Sequence, residues 1–266
     1  MKSLFTLVLF FLSSGLIAQP DQGIKKAIAP KNPIAFSYTI KHFGLKGKVK
    51  SFNETSDGDP YYKDSLAFDN KGNIKKHVMQ RSGRSIEQFN YNLTARQFVM
   101  ENIQDGEKLV YTQKLNQQGE VTESSIGKNY KINHLYNDKG LLSEKKVNNS
   151  KSFTRYEYNE NGQLTREIVL NNDTIWSLQS YQYLQENNML LITLTQEQRP
   201  TGEKLIYKYT YDSNGLLKNE VNNYAEVNYT YELDKMGNWI SMIIDTYDLK
   251  TEKTETETWR RGFVYY

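Results

Sequence analysis

The sequence predicts an all-β protein: an elongated, strongly coiled antiparallel meander of about eight hairpin repeats, able to close into something barrel-like. Three observations carry this. Tyr is abundant, 20 of 266 residues, beside 16 Gly and only 5 Pro, and aromatic residues favour strands that Gly and Asn interrupt. A short motif of aromatic, Asp or Asn, two variable residues and Gly recurs at nearly regular spacing. The residues leading into it alternate apolar and polar with period two, as in a strand with one buried face.

The N-terminus comes first. Residues 1–18 read as a signal peptide: Lys2, an apolar run from Leu4 to Leu12, a break at Ser13-Ser14-Gly15, and cleavage between Ala18 and Gln19. That run is well short of the ~20 residues of a spanning helix, and no later stretch could span a bilayer as one. The expectation is an exported chain, periplasmic or extracellular. Residues 19–44, with Pro20, Pro30 and Pro33, form an irregular lead-in. Residues 45–266 then form a single repeat domain. Charge is nearly balanced, 34 Lys+Arg against 31 Asp+Glu, too even for a nucleic-acid partner. The absence of Cys excludes disulfides, Cys-ligated zinc and thiol catalysis.

The repeats follow. Their turns are Asp69 with Gly72, Asn116 with Gly119, Asn137 with Gly140, Asn159 with Gly162, Asp212 with Gly215, and Asp234 with Gly237. The glycines are 47, 21, 22, 53 and 22 residues apart. The two double-length gaps hold worn copies, with Ala95 and Asn187 in the glycine slot. Asp or Asn bonds its own downstream backbone and starts a type I turn, and Gly supplies the left-handed residue that closes the hairpin. This spacing sets Phe68 opposite Ile74, Tyr136 opposite Leu142, Tyr158 opposite Leu164, Tyr211 opposite Leu217 and Leu233 opposite Trp239. Phe89, His134, Tyr156, Tyr181, Tyr209 and Tyr231 lie upstream on the same face.

Two runs break the alternation. Met189 to Leu194 is apolar at both parities. In the other, Trp239 and Ile243 face one way and Ile240, Met242 and Ile244 the other. A strand covered on both sides reads this way, so the lead-in, with Ile34, Phe36 and Tyr38, is expected to fold over them.

At this point Tyr209-x-Tyr211-Asp212-x-x-Gly215-x-Leu217 resembles the YD repeat of RHS-type proteins. More narrowly, Gly47-Lys48-Val49-Lys50-Ser51, Gly237-Asn238-Trp239 and the strand Trp259 to Tyr266 resemble small exported YD-repeat proteins of Gram-negative bacteria. Large RHS proteins wind such repeats into a β-sheet cocoon around a toxin. This chain has far fewer repeats, so the resemblance implies the strand-turn-strand unit.

Chemical motifs are sparse. His134 occupies a slot held elsewhere by Tyr and reads as packing; His77 reads as solvated, on the face opposite Ile74 and Val78; His42 has no partner at a ligand spacing. Asp57, Asp59 and Asp69 fit turns better than a calcium loop. No cofactor, metal or catalytic motif is found. The expected function is therefore a non-enzymatic binding or structural module of the cell envelope, its ligand a glycan or a surface protein. The alternatives are a polysaccharide hydrolase with paired carboxylates, or a periplasmic partner that neutralises a toxin.

Overall fold

The computed structural model describes residues 39–41, 43–80, 86–94, 97–104, 107–117, 120–127, 130–148, 150–199 and 201–266. The signal-peptide boundary at Ala18 and Gln19, most of the lead-in, His42, Ala95 and Gly119 lie outside them. Among the described residues eighteen strands follow one another: β1 (Val49–Ser56), β2 (Lys63–Phe68), β3 (Ile74–Gln80), β4 (Glu87–Leu93), β5 (Gln97–Gln104), β6 (Glu107–Leu115), β7 (Val121–Ile126), β8 (Tyr130–Tyr136) and β9 (Leu142–Val147). The second half comprises β10 (Ser152–Tyr158), β11 (Leu164–Asn171), β12 (Thr174–Glu186), β13 (Met189–Gln198), β14 (Glu203–Tyr211), β15 (Leu217–Val221), β16 (Ala225–Leu233), β17 (Trp239–Asp248) and β18 (Lys253–Tyr265).

Each strand pairs antiparallel with the next, and β18 returns to pair with β1, Phe263 opposite Phe52 and Arg261 opposite Glu54. In place of an elongated coiled sheet, the meander closes into an 18-stranded barrel. A sheet this wide curls or closes on itself, since each strand adds ~4.8 Å and a twist. The mixed-charge run Lys250 to Glu257 forms the β17–β18 turn and the first part of β18, paired with β17.

One face of this sheet is buried. Phe89, Phe98 and Met100 are 1% exposed, and Tyr156, Tyr181, Leu194 and Tyr211 are also buried. The parity that holds the two apolar clusters is the concave one, which closure of the sheet turns inward. At 1% exposure these residues are packed, not set in the wall of a water-filled channel. Two apolar clusters fill it, one around Phe52, Phe68, Phe89 and Phe98 and one around Leu142, Tyr156, Tyr181 and Ile192.

The Gly-type turns all lie at one rim. Asp69 illustrates them: its carboxylate accepts from the N–H of Lys71 (2.9 Å) and Asn73 (2.8 Å), its carbonyl from Gly72 (2.9 Å), and Gly72 has φ +84°. The side chains of Asn137, Asn159, Asp212 and Asp234 accept in the same way from residues two and four further on. Gly140, Gly162, Gly215 and Gly237 are all left-handed. Asn116 accepts from Glu120 (2.9 Å).

Just beyond each of these turns the ladder skips a residue. The extra residues are Lys75, Thr122, Ser143, Thr165, Lys218 and Ile240. Phe68 is opposite Ile74, Tyr136 opposite Leu142, Tyr158 opposite Leu164, Tyr211 opposite Leu217 and Leu233 opposite Trp239, and the bulge follows immediately. The worn copies pair straight through, Leu93 opposite Phe98 and Glu186 opposite Met189. In the second of these, Asn187 and Asn188 both have positive φ, 49° and 62°, the signature of a two-residue hairpin turn.

A bulge flips the parity of everything after it, and this corrects two expectations. His77 is not on the solvated face: with Lys75 bulged out, it shares the concave face with Ile74, opposite Leu66 and Phe89, and lies 2.5 Å from Asp64. Trp239, Met242 and Ile244 likewise fall on one face, paired with Leu233, Tyr231 and Tyr229, because Ile240 is the extra residue. In the other run Leu190, Ile192 and Leu194 point inward, while Met189 on the opposite parity is 36% exposed.

The described end of the lead-in packs on the Gly rim. Thr39 bridges to Asn73, Ile40 donates to the carbonyl of Gly72 (2.8 Å), and Phe43 meets Phe68 edge to face at 5.6 Å. The seam is locked beside it. The Asn238 carboxamide accepts from the Lys46 N–H (2.7 Å) and donates to the Lys46 carbonyl (2.9 Å) and the Tyr265 hydroxyl (2.8 Å).

Candidate functional site

Two polar constellations depart from the repeat pattern. The first lies on the concave face. Gln113 Nε2 donates to Ser124 Oγ (3.3 Å), which lies 2.9 Å from His134 Nε2. His134 is opposite Lys145, whose ammonium sits 5.5 Å from the centroid of the Tyr156 ring, and Tyr156 is opposite Glu167. Burial sets the protonation states. It pushes the His134 imidazole down to about 4, helped by the Lys145 charge, lowers the Lys145 ammonium and raises the Glu167 carboxyl. A neutral His beside a Ser hydroxyl resembles a nucleophile with its base. Ser124 and His134 are nonetheless only 8% and 5% exposed, so this row is part of the packed interior.

The second lies on the convex face, at the rim opposite the Gly turns. A cleft of about 470 Å³ is lined by Glu144 and Lys146 of β9, Ser150 and Lys151 of the following turn, Phe153 and Arg155 of β10, and Asn172 and Asp173 of the β11–β12 turn. Phe153 is held between two cations, Lys146 Nζ at 5.5 Å and the Arg155 guanidinium at 5.6 Å from its centroid. Its cross-strand partner Leu170 and the next outward residue Ile168 are only 8% and 9% exposed, covered by the side chains around them. Lys146 pairs with Glu144 at 3.0 Å.

Elsewhere the convex face carries ion pairs among scattered exposed apolar residues such as Leu135, Leu184 and Ile206. Lys108 pairs with Glu101 (2.6 Å), Lys114 with Glu123 (2.9 Å) and Arg166 with Glu157 (3.5 Å), all between neighbouring strands. Phe153 is the one described phenylalanine on a strand that points outward.

The residues singled out from sequence occupy other places. Asp69, Asn137, Asn159, Asp212 and Asp234 form the Gly rim, far from this cleft. Three features carried no legible motif. Tyr136, Tyr158 and Tyr183 donate to the carbonyls of Val121, Leu142 and Leu164 in the preceding unit, at 2.7–2.8 Å. The bulged Thr122, Ser143 and Thr165 donate to the carbonyls of Lys114, Leu135 and Glu157. The cleft itself draws on three strands and two turns, and its one signal in sequence is Phe153 at a polar parity.

No protein-family model matches the sequence, and no curated protein matches it. Among solved structures, the fold is similar to that of a porin-like protein from Bacteroides uniformis, at 12% identity and a TM-score of 0.52, covering 83% of this chain and 98% of that one. At that identity the likeness concerns the barrel alone.

Proposed function

We propose that this chain is an exported, water-facing β-barrel of the cell envelope that works by binding and not by transport or catalysis, related to the small exported YD-repeat proteins. The observation that carries this reading is the distribution of polarity. A barrel that spans a membrane presents an apolar band about 25 Å tall to lipid, flanked by aromatic girdles, and keeps its interior polar. Here the buried aromatic residues lie on the concave face, while Lys–Glu pairs such as Lys114–Glu123 stand on the convex face and interrupt its exposed apolar residues. An Arg or Lys facing lipid at mid-membrane costs about 2–4 kcal/mol, and several strands carry one. No described helix is long and apolar enough to cross a membrane.

The test is fractionation of cells expressing the full chain. The protein should be released by osmotic shock without detergent, and purified protein should leave planar bilayers non-conducting. Recovery only in detergent, or stepwise conductance, would overturn the reading. A second reading has one observation behind it: Glu144 and Asp173 line the same cleft, and paired carboxylates are the machinery of glycoside hydrolysis. Release of reducing ends from envelope polysaccharide, abolished by Asp173→Asn, would replace binding with turnover.

A further inference from the structure

We propose that the convex cleft around Phe153 binds a carboxylated sugar. The inference rests on the reading of the chain as a binding module and names its ligand class. Its volume, about 470 Å³, falls within the roughly 300–1,000 Å³ of small-ligand sites.

The charges select the ligand. Lys146, Lys151 and Arg155 face two carboxylates, Glu144 and Asp173. Glu144 is engaged by Lys146. Among the described residues, no carboxylate is within ion-pair distance of Lys151 or Arg155. Two cations therefore remain beside the single carboxylate of Asp173, a net positive charge to meet an anion. Arg155 rests against the Phe153 ring, which limits its rotamers, and a guanidinium matches a carboxylate in a two-pronged geometry that an ammonium cannot reproduce.

The remaining lining suits a sugar ring better than a bare anion. Phe153 offers an aromatic surface suited to ring C–H groups. Ser150, Asn172 and Asp173 offer donors and acceptors for hydroxyls. The two turn residues are held in left-handed conformations, Asn172 at φ 51° and Asp173 at φ 61°, so the polar end of the cleft is shaped before any ligand arrives.

The test is calorimetric titration of the whole mature chain with four probes: a galacturonic acid trisaccharide, the matching neutral galactose trisaccharide, acetate, and an Asp-rich hexapeptide. Saturable binding of the uronate is expected, with the neutral sugar and acetate at least about tenfold weaker. Arg155→Gln and Lys151→Gln should each weaken the uronate about tenfold, with unchanged circular dichroism and melting temperature because both side chains point to solvent. Phe153→Leu should weaken both sugars alike and leave acetate unaffected. Equal binding of the neutral sugar, tighter binding of the peptide, or indifference to Arg155→Gln and Lys151→Gln would overturn the proposal. If the uronate fails while an envelope-polysaccharide column still retains the protein, the cleft assignment falls and the binding reading stands. If the column also fails to retain it, both fall.

Discussion

Replacing Asn238 with Ala removes the clamp that joins the turn before β17 to the segment leading into β1. The carboxamide is 4% exposed and serves both backbone groups of Lys46 and the hydroxyl of Tyr265, which also donates to Asp234. In the variant the Lys46 N–H and carbonyl lose their partners. A buried polar group left unpaired costs about 1–3 kcal/mol, and a group at the rim regains part of its hydration, so the low end applies to each. The sum is about 2–3 kcal/mol, a large share of the roughly 5–15 kcal/mol that holds a folded domain together. Urea unfolding followed by tryptophan emission should show the midpoint fall with the slope unchanged. Amide exchange should accelerate at Lys46 and along the β1–β18 pairing. A midpoint shift below about 0.5 kcal/mol, within the range of a surface substitution, with no change in exchange at Lys46, would refute the clamp.

Other outcomes follow from the same structure. Gly140→Val should lower stability by about 1–3 kcal/mol, since φ +71° is hostile to a β-branched residue; Gly262→Ala, where a methyl group meets nothing within 4 Å, should be nearly neutral in thermal melts. Tyr158→Phe should cost about 0.5–1.5 kcal/mol through the lost bond to the Leu142 carbonyl, and the exposed Tyr61→Phe nothing measurable. His134 titrates near 4 when folded and near 6.5 when unfolded, so the unfolded chain binds more protons between those values. Its contribution is full above about pH 6.5 and is lost as the pH falls toward 4, by up to about 3 kcal/mol. Unfolding midpoints across this window should fall with acid in the parent and flatten in His134→Phe; parallel profiles would count against the burial of this ring.

The repeat was legible because turn chemistry is local. An Asp or Asn three residues before Gly needs no tertiary information to bend the chain, and the pairs Tyr136–Leu142 and Tyr158–Leu164 follow from that bend alone. The bulge one step later was not legible. The hydroxyl residues Thr122, Ser143 and Thr165 share no side-chain character with Lys75, Lys218 and Ile240, since the skipped residue is dictated by how the left-handed Gly hands the strand back to its partner. Counting parity straight through it sent His77 to solvent. Closure was also beyond the local pattern, being decided by strand number and twist together. The cleft was hidden for a different reason: its lining spans Glu144 to Asp173 and becomes a site only when three strands lie side by side.

The pairing scheme has a consequence for how the chain reaches its native state. Every strand but one pair finds its partner next door in sequence, and the exception joins Val49 to Tyr265. Contact order is thus low for all of the molecule except its last step. Hairpins of this kind form in about 1–10 μs, so the sheet can grow as the chain is delivered. The β1–β18 seam cannot form until the final residues arrive, and it carries the whole loop-closure entropy of the ring. Growth should therefore be fast and insensitive to chain length, and sealing slow and all-or-none. A chain lacking β18 would remain kinetically poised as an open ribbon, its first strand waiting for a partner that another molecule could supply.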